Sequence, residues 1–321
     1  TATIYLTARI ALRIFRERKW ALLAALLMTL DGLNLVMSRT ALLDIFLTLF
    51  ILLAVNAWLK GKYLSLAIYL GLAMGSKWSA IYYVAILLVL DLFINRKLLR
   101  TIRVGITSLL VYLISWFGWF NSNLGWDRNV KSNPFSSLLY YHKEMLNFHT
   151  SLTEKHTYQA NPWSWLVMGR PTSFYYQSPK GCGVKDCAKE VLAIGTPILW
   201  WLGAIAVLFL IGVNLHHIAM REFDSAAVIP MLGIIAGYLP WFFFQKRTVF
   251  TFYAIVFEPF LILALVLMAK MAYEYDERFK YLIGIAVLII AINFVYFYPL
   301  FTGMTITYKE WYSHMWWSSW I

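Results

Sequence analysis

Charge is scarce in this chain. Asp, Glu, Lys and Arg make up 14% of its 321 residues, against 61% for the hydrophobic types. Together with repeated apolar runs of roughly 15 to 20 residues, that ratio excludes an ordinary soluble domain and describes a polytopic membrane protein. Cysteine is scarcer still: the two present, in GCGVKDC, are too few for a thiolate zinc site or a disulfide scaffold. Acidic residues are outnumbered 16 to 28 by Lys and Arg, for a net charge of +12. Nucleic acid is still not the implied partner, because the basic residues sit in short clusters between apolar runs and form no continuous stripe. No polar n-region or cleavage site follows Thr1, so no signal peptide is read, and the expectation is a chain whose natural beginning lies upstream. Repeats and low-complexity tracts are also missing.

The apolar runs lie at 20–37, 41–59, 64–75, 78–94, 103–119, 196–215, 225–243, 249–268 and 281–299. They predict about nine crossings of a hydrocarbon layer that takes about 20 helical residues to span. The run 64–75 is short for a full span and reads as tilted, extended into its neighbours, or half of a broken helix. Residues 1–15 read as the end of an earlier helix. The expected fold is an all-α polytopic integral membrane protein: 1–119 as membrane core, 120–195 as an extracytoplasmic loop or lid, and 196–321 as a four-helix region with an exterior tail.

If all nine runs cross, one side collects Arg9, Arg13, Arg16, Arg18, Lys19, Lys60, Lys62, Arg96, Lys97, Arg100, Arg103, Arg221, Lys270, Arg278 and Lys280. Retention of Lys and Arg in cytoplasmic loops makes that side the inner one. The opposite short connections carry only Arg39, Lys77, Lys246 and Arg247. Basic groups on the face that ordinarily avoids them can form a phosphate site, Arg as a planar fork and Lys as a point charge. For each of them snorkelling toward lipid phosphates is the alternative.

In DGLNLVMSRTALLD, Arg39 stands at an outer turn with Asp31 and Asp44 a few residues into the flanking helices, either as its salt-bridge partners or beside a cation that recognises an anionic headgroup. The loop 120–195 is rich in aromatic residues and Pro, which argues against a disordered linker, and a short helix is expected around SSLLYYHKEMLNFHTSL. His142, His149 and His156 recur every seven residues. They are ordinary hydrogen-bonded loop residues or contacts to donor or acceptor; zinc needs a convergence that spacing does not demonstrate, and no metal is assigned. Glu144 and Glu154 are possible acid or base groups without an identifying pattern. Trp163, Trp165 and Arg170 suit either a sugar or the headgroup layer. Cys182 and Cys187, in an exterior loop, are a disulfide candidate, with two free thiols as the alternative. Glu258 with Pro259, and His216 with His217, read as structural, and the C-terminal Trp residues read as interface anchors.

The order of DGLNLVMSRTALLD, GLAMGSKWSAIYY, HTYQANPWSWLVMGRPTSFYY, QKRTVFTFYAIVFEPF and the terminal YFYPLFTGMTI and WYSHMWWSSWI resembles the bacterial protein O-mannosyltransferases, over nearly all of the chain. These are relatives of the eukaryotic dolichyl-phosphate-mannose–protein mannosyltransferases. The resemblance implies a GT-C glycosyltransferase with about eleven crossings, two more than the runs visible here. It implies transfer of mannose from a polyprenyl phosphate to Ser or Thr of secreted or translocating proteins, at the outer face of the bacterial plasma membrane, among membrane lipids and near the export machinery. No cofactor beyond the lipid-linked donor is assigned, and a divalent-cation requirement is left open. By resemblance, Arg39 belongs to the family's SR motif and Asp44 to the Asp that follows it, while Lys77 and Trp78 match its SKW turn. Arg247, Phe250 and Tyr253 match a pattern whose last position is aromatic or His, and Pro162, Trp163, Trp165 and Arg170 match the loop motif near the active site. His142 and His156 join these as candidates on the lid or acceptor side.

The family's catalytic Asp lies in its first exterior loop, and the resemblance places that loop upstream of Thr1, so Asp31 is not assigned its role. A related GT-C enzyme for another sugar or acceptor, or a transporter with charged residues at broken spans, are the other classes weighed; covalent addition of mass to a peptide separates transfer from transport. A purified protein of residues 1–321 is expected to lack mannosyl transfer, and turnover by it in an assay with a polyprenyl donor and a Ser/Thr peptide would overturn that expectation.

Overall fold

The computed structural model describes residues 1–321. Seven helices open the chain: α1 (Ala2–Phe15), α2 (Arg18–Thr29), α3 (Gly32–Thr40), α4 (Leu43–Leu59), α5 (Tyr63–Ser76), α6 (Ala80–Asn95) and α7 (Leu98–Ser115). From α4 to α7 the connections are so short that successive helices fold back on one another. After α8 (Phe117–Asn121) and α9 (Pro134–Ser151) come a 3-10 turn over Pro162–Val167 and strands β1 (Thr172–Gln177) and β2 (Cys187–Ala193). The chain continues through α10 (Pro197–Met220), α11 (Ser225–Gly237), 3-10 turns over Leu239–Phe244 and Thr251–Val256, α12 (Glu258–Tyr275) and α13 (Phe279–Thr302). It closes with β3 (Thr305–Thr307), α14 (Tyr308–Ser313) and a last 3-10 turn over Ser318–Trp320.

Local chemistry explains the boundaries. Asp31 caps α3 by accepting from Leu33 N–H, and Asn133 caps α9 by accepting from Ser136 N–H, with Pro134 at the first helical position. Asp224 caps α11, and Thr307 with Glu310 forms a capping box on α14. Left-handed residues at Arg16, Ala41, Arg96, Arg221 and Gly303 end α1, α3, α6, α10 and α13.

The expectation of about nine crossings is corrected here. By length and composition four segments can cross a membrane: Leu98–Ser115, Pro197–Met220, Ser225–Phe244 and Phe279–Thr302. A fifth is reached only if α2 and α3, which meet at 61°, count as one broken span. Helices α4, α5 and α6 are apolar but have 17, 14 and 16 residues, short of about 20. The run 249–268 is no span either. Its first part is a 3-10 turn, and α12 carries Glu258, Lys270 and Glu274 within 18 residues. Every residue from Glu258 to Leu267 is buried in protein, with α10 and α11 packed against it. Hydropathy counts apolar residues without distinguishing a lipid neighbour from a protein one. Where α11 packs on α12 the Phe260 ring lies so close against Gly233 that a Cβ there would meet it at 1.9 Å.

The fold is largely helical, as expected, and carries one small sheet. β2 lies between β1 and β3 in an antiparallel sheet, with Tyr176 opposite Glu190 and Cys187 opposite Thr307, and a bulge between Ser173 and Tyr175. Cys182 and Cys187 form a disulfide at the start of β2. The tail closes onto this layer: Trp311 Nε1 donates to Glu190 at 2.5 Å, Trp320 Nε1 to the Met168 carbonyl at 2.8 Å, and Trp317 stacks on Trp201. Trp311 and Trp320 are thus packed into protein, which accounts for part of the terminal Trp cluster that sequence assigns to the membrane interface.

One buried acid ties α4 to α7. Asp91, 1% exposed, accepts from Trp58 Nε1 on α4 at 3.0 Å and Asn95 on α6 at 2.8 Å. It also accepts from Arg100 Nη2 at 3.0 Å and Thr101 Oγ1 at 3.2 Å, both on α7, while the Arg100 guanidinium lies 3.9 Å from the ring centroid of Tyr63 on α5. Removing one member of a buried ion pair typically costs about 3–5 kcal/mol, because the other charge stays buried. Asp91→Ala is therefore expected to lower the unfolding midpoint in detergent by several degrees, whereas Leu22→Ala, on an exposed position of α2, leaves it in place; equal midpoints for the two variants would remove Asp91 from this role.

Candidate functional site

The end of the α4–α7 unit opposite Asp91 carries the α5–α6 turn. Lys77 ends α5 in extended backbone, and its Nζ lies 2.7 Å from Asp44 Oδ1 and 3.7 Å from the centroid of the Tyr253 ring. Asp44 is 4% exposed in the first turn of α4, where the helix dipole favours a carboxylate. Burial pulls the Lys77 ammonium below the usual lysine range, and Asp44 opposes that shift. The ammonium is thus held by one carboxylate and one aromatic face.

Trp78, the next residue, begins a relay of hydrogen bonds. Its Nε1 donates to the Tyr112 hydroxyl at 2.9 Å, and that hydroxyl lies 2.6 Å from His142 Nε2. His142 Nδ1 is 2.8 Å from the Leu138 carbonyl, which can only accept. The proton of the imidazole therefore sits on Nδ1, and Nε2 accepts from Tyr112. The Trp78 and His142 rings also stack, at 5.3 Å and 29°. These contacts dock α9 against α7 and the α5–α6 turn.

Arg247 arrives from the other half of the chain. The strip that carries it is tied to the segment after α9: Thr248 N–H donates to Leu152 O at 3.3 Å, Ala160 N–H to Val249 O at 2.8 Å, and the Thr248 hydroxyl to Glu154 O. Arg247 Nη2 lies 3.1 Å from His149 Nδ1, and its Nε is buried without a partner. Its guanidinium carbon is 5.9 Å from the Trp241 ring centroid. His149 is held below the usual histidine range by burial, then by the charges of Arg247 and Lys77.

Lys77, Trp78, Tyr112, His142, His149 and Arg247 line one cavity of about 410 Å³. Its remaining wall is largely apolar, with Met74, Ile81, Leu109, Leu146, Trp241 and Phe244. The space therefore pairs a cationic end with oily sides, which suits an anionic amphiphile.

The other candidates lie elsewhere. Arg39 is exposed at the end of α3, with Nη1 3.4 Å from the Phe301 carbonyl, and Lys246 is exposed beside Arg247; neither lines the cavity. His156 lies beyond α9, exposed, with its ring edge-on to Phe250. Trp163 is exposed, whereas Trp165 is fully buried among Tyr238, Trp241 and Tyr253 and donates to the Ala160 carbonyl at 3.0 Å. Arg170 is spent on the backbone, donating to the carbonyls of Thr157, Ser319 and Ile321. Asp31 accepts from Thr196 N–H at 2.8 Å and Trp200 Nε1 at 2.9 Å and does not line the cavity. One cavity group, Tyr112, has no signal in the sequence, since it lies inside an apolar run with nothing to single it out; His149 is marked by the seven-residue spacing it shares with His142, but that spacing gives no sign of an arginine partner.

Comparison with known proteins places this architecture. Residues 134–320 match the family model of the C-terminal four TMM region of protein-O-mannosyltransferase, and residues 1–124 match that of dolichyl-phosphate-mannose-protein mannosyltransferase. The polyprenol-phosphate-mannose–protein mannosyltransferase of Mycobacterium tuberculosis is 28% identical, the match covering 99% of this chain and 74% of that protein. Its counterparts in Mycolicibacterium smegmatis and Corynebacterium glutamicum are 29% and 28% identical, with 75% of each covered. The S. cerevisiae protein O-mannosyltransferase Pmt1-Pmt2 complex bound to the sugar donor has a chain that superposes with a TM-score of 0.79, covering 99% of this chain and 79% of that one. At 15% identity that likeness speaks to the fold alone. Two family models that between them take in nearly the whole chain, the first matching more than half of it, show that the protein belongs to the protein O-mannosyltransferase family of GT-C glycosyltransferases.

Proposed function

We propose that the protein transfers mannose from a polyprenyl phosphate to Ser or Thr hydroxyls of secreted or translocating proteins, at the outer face of the bacterial plasma membrane. The observation that carries this reading is the convergence of Lys77 and Arg247 on a cavity of about 410 Å³ whose other walls are mostly apolar. Two cations beside oily walls match a phosphate esterified to a long isoprenoid. The names of the mycobacterial and corynebacterial relatives supply the sugar and the class of donor. Basic residues cluster at one end of the α4–α7 unit, with Lys60 and Lys62 in the α4–α5 turn and Arg96, Lys97 and Arg100 at the α6–α7 turn, and the cavity lies at the other end with Lys77.

In the proposed reaction an acceptor hydroxyl attacks the anomeric carbon as the bond to the phosphate oxygen breaks, inverting that carbon. The electron pair leaves on the phosphate, and Lys77 and Arg247 stabilise the charge that builds there. A carboxylate takes the hydroxyl proton. Asp44 is poorly placed for that task because its Oδ1 is committed to Lys77 at 2.7 Å and it does not line the cavity, and neither does any other Asp or Glu. The base is accordingly assigned to a group outside this lining. In this reading segment 120–195 serves as the lid, since α9 forms one side of the cavity through His142 and His149.

Loss of one charge-assisted contact to phosphate corresponds to about tenfold or more in affinity. Arg247→Ala is therefore expected to weaken binding of polyprenyl-phosphate-mannose by at least that factor while the exposed Lys246→Ala has little effect. Unchanged binding by Arg247→Ala in a titration of the nanodisc-embedded protein would remove the phosphate role.

A further inference from the structure

We propose that His149 is a positioning residue for Arg247: its Nδ1 lone pair fixes the guanidinium so that the remaining N–H groups stay available to the anion in the cavity. This rests on the phosphate role of Arg247 proposed above. An arginine can only donate, so the 3.1 Å contact between Nη2 and Nδ1 requires a lone pair on Nδ1 and places the imidazole proton on Nε2. The histidine is thus neutral, and its burial, followed by the cations Arg247 and Lys77 beside it, favours that form.

The choice of a neutral partner has a physical consequence. Most arginines that need orienting are held by carboxylates, which bind a guanidinium more tightly but cancel its charge. An imidazole orients the fork and leaves the positive potential intact for an incoming phosphate. Apart from the Nη2 contact to His149 the Arg247 guanidinium makes no hydrogen bond within the protein, and its Nε is enclosed without a partner, so the ligand meets the terminal N–H groups that His149 orients. The geometry is held from both sides. His149 lies seven residues, about two helical turns, after His142 on α9, and His142 is latched to Tyr112 at 2.6 Å. The strip at Thr248 and Val249 is bonded to Leu152 and Ala160, just past the end of α9. His149 and Arg247 therefore meet through two anchored segments.

The test is donor binding by the full chain in nanodiscs, with polyprenyl-phosphate-mannose as titrant and the thermal unfolding midpoint measured alongside. His149→Asn, whose Oδ1 can replace the Nδ1 acceptor, is expected to stay within about twofold of wild type, and His149→Leu to bind about five- to tenfold more weakly, the loss of one hydrogen bond to a charged group. His149→Asp is the sharper variant. It offers Arg247 an ion pair and so keeps or raises the unfolding midpoint, yet it is expected to weaken donor binding as much as Leu does. In an Arg247→Ala background, His149→Leu is expected to add nothing. Wild-type affinity in His149→Leu or His149→Asp, or full additivity with Arg247→Ala, would overturn the positioning role while leaving the phosphate reading intact. Wild-type affinity in Arg247→Ala would overturn both.

Discussion

The ion pair between Lys77 and Asp44 is the contact on which the site depends. In a bundle whose helices are almost wholly apolar, a charge without a partner would be pushed toward water or neutralised, so each charge retained inside must be answered by another group. Asp44 on α4 answers Lys77 on the α5–α6 turn, and Tyr253, from the second half of the chain, covers the ammonium with its ring. One interaction therefore joins three segments and holds Lys77 in the wall of the cavity. At the far end of the same helices Asp91 does the corresponding work with Trp58, Arg100 and Thr101. The unit is clamped at both ends, about 20 Å apart along α6 at 1.5 Å per residue.

On this frame the second half of the chain completes the site by packing. Helix α12 fills the interior, and the 3-10 turns before it bring Trp241, Arg247 and Tyr253 alongside the α5–α6 turn. α9 forms the remaining side, held by His142 through Tyr112 and Trp78. No single element contains the site. That dispersal is the usual consequence of building a cavity between packed helices, where each contributes only the residues on its inward face.

The membrane character, the helix-rich fold and the family were legible from composition, apolar runs and motif order. The short helix expected near residues 136–152 is α9, Pro134–Ser151. The number of crossings was not legible, because α4, α5, α6 and α12 are as apolar as lipid-facing spans yet too short or too deeply covered to act as such. The small sheet was missed for a related reason: β3 has only three residues, and its pairing partner β2 lies more than a hundred positions earlier. Among the four basic residues set apart by charge counting, Lys77 and Arg247 line the cavity while Arg39 and Lys246 stay on the surface. Counting charge by loop assigns a residue to a side of the membrane but not a direction for its side chain. Trp165 and Arg170 illustrate the same gap, since one became core and the other a clasp for the tail.

The sequence by itself determined the solvent this protein belongs in, where many of its helices start and stop, and which family's motifs it carries. These follow from side-chain polarity and from capping chemistry acting over a few residues. Only the tertiary structure decided which charges meet. Asp44 and Lys77 are separated by 33 positions and His149 and Arg247 by 98, and nothing local to either member of a pair encodes the distance to its partner. Hydropathy attaches a magnitude to each residue but no direction, and the direction is set by how helices far apart in the chain pack together.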